Sequence, residues 1–172
     1  MDHAAQLVDL VDEQGNAVST KVRKDIRKAT DLFHVILILV ITPEGQIVLS
    51  KIPARTDLPN LYAHTLGATA GTIRRHGESP ESAAVRTILQ ELRISSPEPE
   101  KLGESFETFM NGSRRYMTLY RVINPPPTDF SHTDIESLQL FSPDDLDMLI
   151  QTQPDMFAPT FLRMWAHYSQ VG

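Results

Sequence analysis

Three side chains in the stretch GESPESAAVRTILQELRI, residues 77–94, have the types and spacing to act on a charged substrate: Glu78, Arg86 and Glu91. On a helix, Thr87, Gln90 and Glu91 stand at i, i+3 and i+4, so their side chains converge on one patch. Glu91 also lies at the edge of an apolar stripe made by Ala84, Val85, Ile88, Leu89 and Leu92. A carboxylate there is partly desolvated and wants a metal ion or a cation as partner, the plainer case being a nearby Arg. Glu78 sits just ahead of the helix in a glycine-containing turn, where the positive end of the helix dipole favours it in any case. Arg74, Arg75 and His76 precede it, and Arg114 and Arg115 lie further on, as basic exceptions in an acidic chain. Of these, Arg74, Arg75 and Arg115 are the candidate phosphate-binding residues, although basic side chains on exposed turns commonly have no such role.

The elements that must hold these residues can be placed from periodicity and turn chemistry. The clearest helix runs over residues 79–92, with Ser79 as N-cap, Pro80 in the first turn and Glu81 at the positive end of the dipole. Residues 33–41, FHVILILVI, are β-branched and without helical period, so they predict a buried central strand. The turn TPEGQ joins it to a second strand at 47–52, and the two should pair as a hairpin. Residues 6–10 predict a short strand, 20–30 a short helix or ordered loop, and 53–62 a loop. Residues 63–73, with two glycines, predict strand segments passing close to something else. A hairpin is expected over 105–110 and 113–122, with Asn111-Gly112 suggesting a type I′ turn. Helices are expected from Ser142 and over 158–168. No repeat or low-complexity segment interrupts this order, which predicts one mixed α/β (α+β) domain over 1–172.

Residues 72–94 resemble the Nudix box, whose pattern is G-x5-E-x7-R-E-U-x-E-E-x-G-U with U a bulky aliphatic. Glu78 matches the first Glu, Arg86 the Arg, Ile88 the first aliphatic, Glu91 the last Glu and Ile94 the closing aliphatic. Four positions depart: Thr72 and Arg93 stand at the two glycines, Thr87 at the Glu after the Arg, and Gln90 at the first Glu of the pair. The resemblance implies a mixed β-sheet sandwiched between α-helices, with Mg²⁺ or Mn²⁺ gathered by the box glutamates. Here Glu91 and Glu78 remain as metal candidates, and binding is expected to be weak, because neutral Thr and Gln oxygens replace two carboxylates. Glu78 and Arg86 could equally persist as a structural pair.

The first half of the chain is similar to the isopentenyl-diphosphate isomerase branch of that superfamily, which also keeps a single Glu at the end of its box. His34 falls where that branch has a metal-binding His, although a His in an apolar strand is more often a hydrogen-bonded core residue. The isomerase itself is excluded. Its Cys falls on Gly71 and a following His on Ile73, and the chain has no cysteine. Another metal His falls near Arg27, and the strand carboxylates fall around Arg114 and Arg115. Glu104 and Glu107 lie where Nudix hydrolases sometimes recruit an extra carboxylate, or else form a solvated strand face.

The missing cysteines also exclude a disulfide framework and any thiolate site. A net charge of −6 argues against nucleic acid as a partner. The apolar run at 33–41 is too short to cross a bilayer, and no signal peptide opens the chain, so a cytoplasmic protein is expected. The expected function is a metal-dependent hydrolase of a diphosphate-containing small molecule, with Glu91, Glu78 and Arg86 as its catalytic group, weakened by the two lost glutamates. The alternative is a catalytically silent module that binds a phosphorylated ligand or a protein partner. A homodimer stays open as an assembly.

Overall fold

A computed structural model describes residues 3–54 and 62–169. The described strands are β1 (Leu7–Val11), β2 (Ala17–Val22), β3 (Phe33–Ile41), β4 (Ile47–Lys51), β5 (Leu66–Gly67), β6 (Ala70–Ile73), β7 (Glu100–Thr108), β8 (Arg114–Ile123) and β9 (Ser137–Phe141). The helices are α1 (Pro80–Thr87), α2 (Pro143–Thr152) and α3 (Pro159–Tyr168). The apolar run over residues 33–41 forms β3, the centre of a mixed sheet. β8 pairs with β3 in parallel along its whole length, from Phe33↔Arg115 to Ile41↔Ile123. The other edge of β3 is shared. β4 pairs with its end at Val40 and Ile41, whereas β6 runs antiparallel to residues 35–38. The middle of β3 is thus covered by β6, and the chain leaving β6 emerges next to α1.

Alternation along β3 fills both faces. Ile36, Ile38 and Val40 pack with Ala83, Ala84, Ile88 and Leu92 of the α1 segment. Leu37 and Leu39 pack with Leu146, Phe161 and Met164 of α2 and α3. The sheet is thus covered by a helix on one face and two on the other, as expected for this fold class.

Three hairpin loops share one construction. At Asp12–Asn16, Thr42–Gln46 and Phe109–Ser113, the first residue's N–H donates to the last residue's carbonyl, and the glycine's N–H donates back to the first residue's carbonyl. Gly15, Gly45 and Gly112 carry φ values of 83°, 85° and 82°. These are three-residue loops, a type I turn closed by a left-handed glycine. The type I′ turn expected at Asn111-Gly112 is corrected accordingly, because only Gly112 has positive φ there.

The segment at 20–30, expected as a short helix or an ordered loop, is that from residue 23 onward. Its first residues continue β2, and only Arg23–Asp25 form a short 3-10 turn. Part of the loop expected at 53–62, residues 55–61, lies outside the described residues.

Candidate active site

α1 begins as its sequence predicts. Ser79 Oγ accepts from the Ser82 N–H at 3.0 Å, and Pro80 occupies the first turn. The single helix expected over 79–92 is instead two pieces, because α1 gives way to a π-helical turn at Ile88–Leu92. The change begins where the buried Thr87 hydroxyl donates back to the Ala83 carbonyl at 2.9 Å, a contact that often bends helices. Thr87 is 1% exposed, whereas Gln90 is on the surface. The expected convergence of Thr87, Gln90 and Glu91 is therefore not formed. The turn ends at Arg93 in the left-handed conformation, with φ of 52°, which is the reason a glycine suits that position.

Glu78 and Arg86 meet as a bidentate pair. Arg86 Nε donates to Glu78 Oε1 at 2.7 Å and Nη2 to Oε2 at 3.0 Å. The Arg75 N–H also donates to Glu78 Oε2 at 3.0 Å, and Arg74 Nη1 donates to the Glu78 carbonyl at 3.1 Å. Burial alone would raise the Glu78 carboxyl, but the Arg86 and Arg75 bonds and charges outweigh it and hold the group below its usual range. Both Glu78 oxygens are thereby engaged by protein donors.

This loop is pinned from outside the motif. Gly77 turns it with φ of 72°. The buried Asp9 of β1 accepts from Thr20 Oγ1 at 3.1 Å and the Gly77 N–H at 3.4 Å, and meets His76 Nδ1 at 2.6 Å. The His76 N–H donates to the Leu7 carbonyl at 2.9 Å.

Glu91 is placed very differently. Its carboxylate makes no hydrogen bond or ion pair with a described residue, and burial pushes it up to about 8. The negative charge of Asp134 adds to that rise, while Arg86 and Arg23 oppose it. The loop that carries Asp134 is fastened to this spot, since the Ser131 N–H donates to the Glu91 carbonyl at 2.8 Å and Ser131 Oγ to Asp134 Oδ2 at 2.7 Å. Asp134 and Arg23 gave no signal as a pair with Glu91 in the sequence. Arg23 stood only within a basic segment, and Asp134 in an undistinguished turn.

The other candidates go elsewhere. Arg115 lies over the Phe33 ring at 4.1 Å and donates through Nη2 to the Lys28 carbonyl at 2.8 Å, apart from Arg74 and Arg75. Glu104 pairs with Lys101 at 2.8 Å, and the buried Glu107 meets His167 Nε2 at 2.7 Å. His34 is 3% exposed, with Nε2 at 2.7 Å from Thr118 Oγ1 and its ring edge-on to Tyr116. That is the core histidine of the plainer reading. Among the described residues no group of three His, Cys, Asp or Glu side chains is close enough to hold a metal ion. What the structure supplies is one carboxylate without a described partner, under the charges of Asp134, Arg86 and Arg23, while Arg74 and Arg75 gather at Glu78. A hydrated divalent cation that arrives with a phosphate fits that set, because Mg²⁺ is commonly held by one or two carboxylates and substrate oxygens.

No protein-family model matches the chain, and no curated protein matches it. Solved structures do. DR0079 from Deinococcus radiodurans is 19% identical, with 95% of this chain and 99% of that one covered and a TM-score of 0.78. A MutT protein from Methanosarcina mazei Go1 is 11% identical over 81% of this chain and 94% of its own, with a TM-score of 0.63. A Nudix hydrolase from Nitrosomonas europaea is 21% identical over 80% and 88%, with a TM-score of 0.57. At these identities the likeness shows the fold, and the chain has the Nudix fold.

Proposed function

We propose that the protein is a Nudix-type hydrolase of small molecules bearing a diphosphate, working with a divalent ion that the substrate brings. The observation that carries this reading is the Glu91 carboxylate, which is half-buried, has no bonding partner among the described residues, and feels the charges of Arg86 and Arg23. An unpaired carboxylate in such a place is unfavourable until a cation meets it. Glu91 would hold Mg²⁺ or Mn²⁺ with Asp134 beside it. The bound ion would supply charge neutralisation on the phosphoryl oxygens.

Glu78 leaves the metal set in this reading. With both oxygens engaged, it is a positioning residue that fixes Arg86 and the loop carrying Arg74 and Arg75. The Arg86 charge acts on both Glu78 and Glu91, so in this reading it would help orient a phosphate beside the carboxylate that meets the ion. The Thr87 hydroxyl is spent on Ala83, which leaves no base at that position and predicts slow turnover.

The same burial of Thr87 favours a second reading, a silent module that binds the phosphorylated ligand without cleaving it. Phosphate release from nucleoside and prenyl diphosphates, measured with Mg²⁺ or Mn²⁺ against heat-denatured protein, separates the two. Glu91→Gln should lower divalent-dependent release about tenfold or more, as expected when a metal-bearing carboxylate is lost. Release that is indifferent to this change sinks the assignment. Diphosphate binding that is indifferent to EDTA, with no release, supports the module.

A further inference from the structure

Arg75 carries an empty fork. Its Nε and Nη2 are shielded from water, and neither has a hydrogen-bond acceptor among the described residues. These are the same two atoms by which Arg86 grips Glu78. That edge of a guanidinium presents two parallel N–H groups, matched to two oxygens of one oxyanion. Arg74 beside it has a second buried donor, Nε, that also lacks an acceptor.

The charges point to the kind of oxyanion. Of the three guanidinium groups at this loop, Arg86 bonds the Glu78 carboxylate, the Arg75 charge acts on it, and Arg74 holds the Glu78 backbone carbonyl, so Glu78 offsets one of three positive charges. This stands out in a chain of net charge −6. A carboxylate ligand, or a phosphate esterified on two sides, brings one negative charge. A terminal phosphate brings about −1.5 to −2 near neutral pH and three acceptor oxygens.

We propose that Arg75 is the terminal-phosphate clamp of this site: its Nε/Nη2 edge takes two oxygens of a free phosphoryl group, with Arg74 beside it. Ligands that end in an unesterified phosphate are therefore preferred over those whose diphosphate is internal. The inference rests on the site being a diphosphate site and adds the class of diphosphate.

The test is an NMR titration of the isotope-labelled, metal-free protein in EDTA with inorganic pyrophosphate and with its symmetrical dimethyl diester. Pyrophosphate should shift the Arg75 Nε–H resonance of the unmutated protein and bind at least about tenfold tighter than the diester, in line with loss of a charge-assisted bidentate contact. Arg75→Lys keeps the charge and removes the fork, and should reduce that preference to the part that the extra charge of pyrophosphate alone gives. Equal affinity for the two ligands overturns the proposal. So does an Arg75 resonance that stays still while pyrophosphate binds. Arg75-dependent binding without divalent-dependent turnover supports the clamp and removes the hydrolase reading. Glu91-dependent turnover with pyrophosphate binding unchanged in Arg75→Lys overturns the clamp and leaves that reading standing.

Discussion

Burial holds the His34 imidazole down at about 4, and the nearby Arg74 charge adds to the effect, so the ring is neutral near physiological pH. The unfolded chain titrates its His near 6.5. Between those values the unfolded state takes up a proton that the fold refuses. The associated stability is complete above 6.5 and is lost as pH falls toward 4, to an extent on the order of 3 kcal/mol at most. Urea unfolding at about pH 7 and about pH 4.5 should show this loss, and His34→Gln should lose less between the same two conditions. An equal loss in both proteins would assign the acid sensitivity to other groups. The same argument explains why His34 serves the sheet here, since its Nε2 is already engaged with Thr118.

Positions 87 and 90 look alike in the sequence, as two neutral residues where the Nudix box has Glu, but the π-helical turn separates them. Thr87→Glu places a carboxylate at a site that is 1% exposed and should destabilise the metal-free protein by roughly 1–3 kcal/mol. Gln90→Glu lies on the surface and should change stability by less than about 0.5 kcal/mol. Thermal unfolding of both variants with EDTA and with Mn²⁺ checks this, and recovery of Thr87→Glu by the ion would show that the new carboxylate reaches the site.

The fold was largely legible at this scale. The apolar run of β3, the Ser-Pro starts of α1 and α2 and the glycine loops each follow from local chemistry. The π turn was not, because periodicity at residues 84–92 fits an ordinary helix, and the departure depends on a side-chain bond from Thr87. The Glu78–Arg86 pair was legible as a spacing. Its exclusive use of both Glu78 oxygens was not, since that depends on how Gly77 delivers the Arg75 amide. Asp134 and Arg23 reach Glu91 through tertiary packing of distant segments, which no local pattern encodes.

Across the whole molecule, the motif depends on strands that lie outside it. β1 holds the 76–77 turn through the Asp9 carboxylate, and burial, which alone would raise that group, is outweighed by the bonds from His76, Thr20 and Gly77. Asp9→Ala leaves residues 77–94 intact in sequence but should destabilise the protein by roughly 1–3 kcal/mol. Amide hydrogen exchange should quicken selectively at residues 74–79, and pyrophosphate binding should weaken with it. Unchanged exchange there would mean that the loop stands by itself. Among the described residues no helix is long and apolar enough to cross a membrane.

A carboxyl that titrates near 8 keeps its proton at neutral pH. In the proposed site Glu91 would be acid and ligand in turn, and a divalent ion would enter only as that proton leaves. Calorimetry of Mn²⁺ binding at about pH 7, repeated in buffers of different ionisation enthalpy, should give heats that differ by nearly one proton per ion. The apparent affinity should climb about tenfold per pH unit on the acid side of this titration and level off above it. Proton and proposed metal would be rivals for one oxygen pair, so acidification by itself would weaken the hold on such an ion.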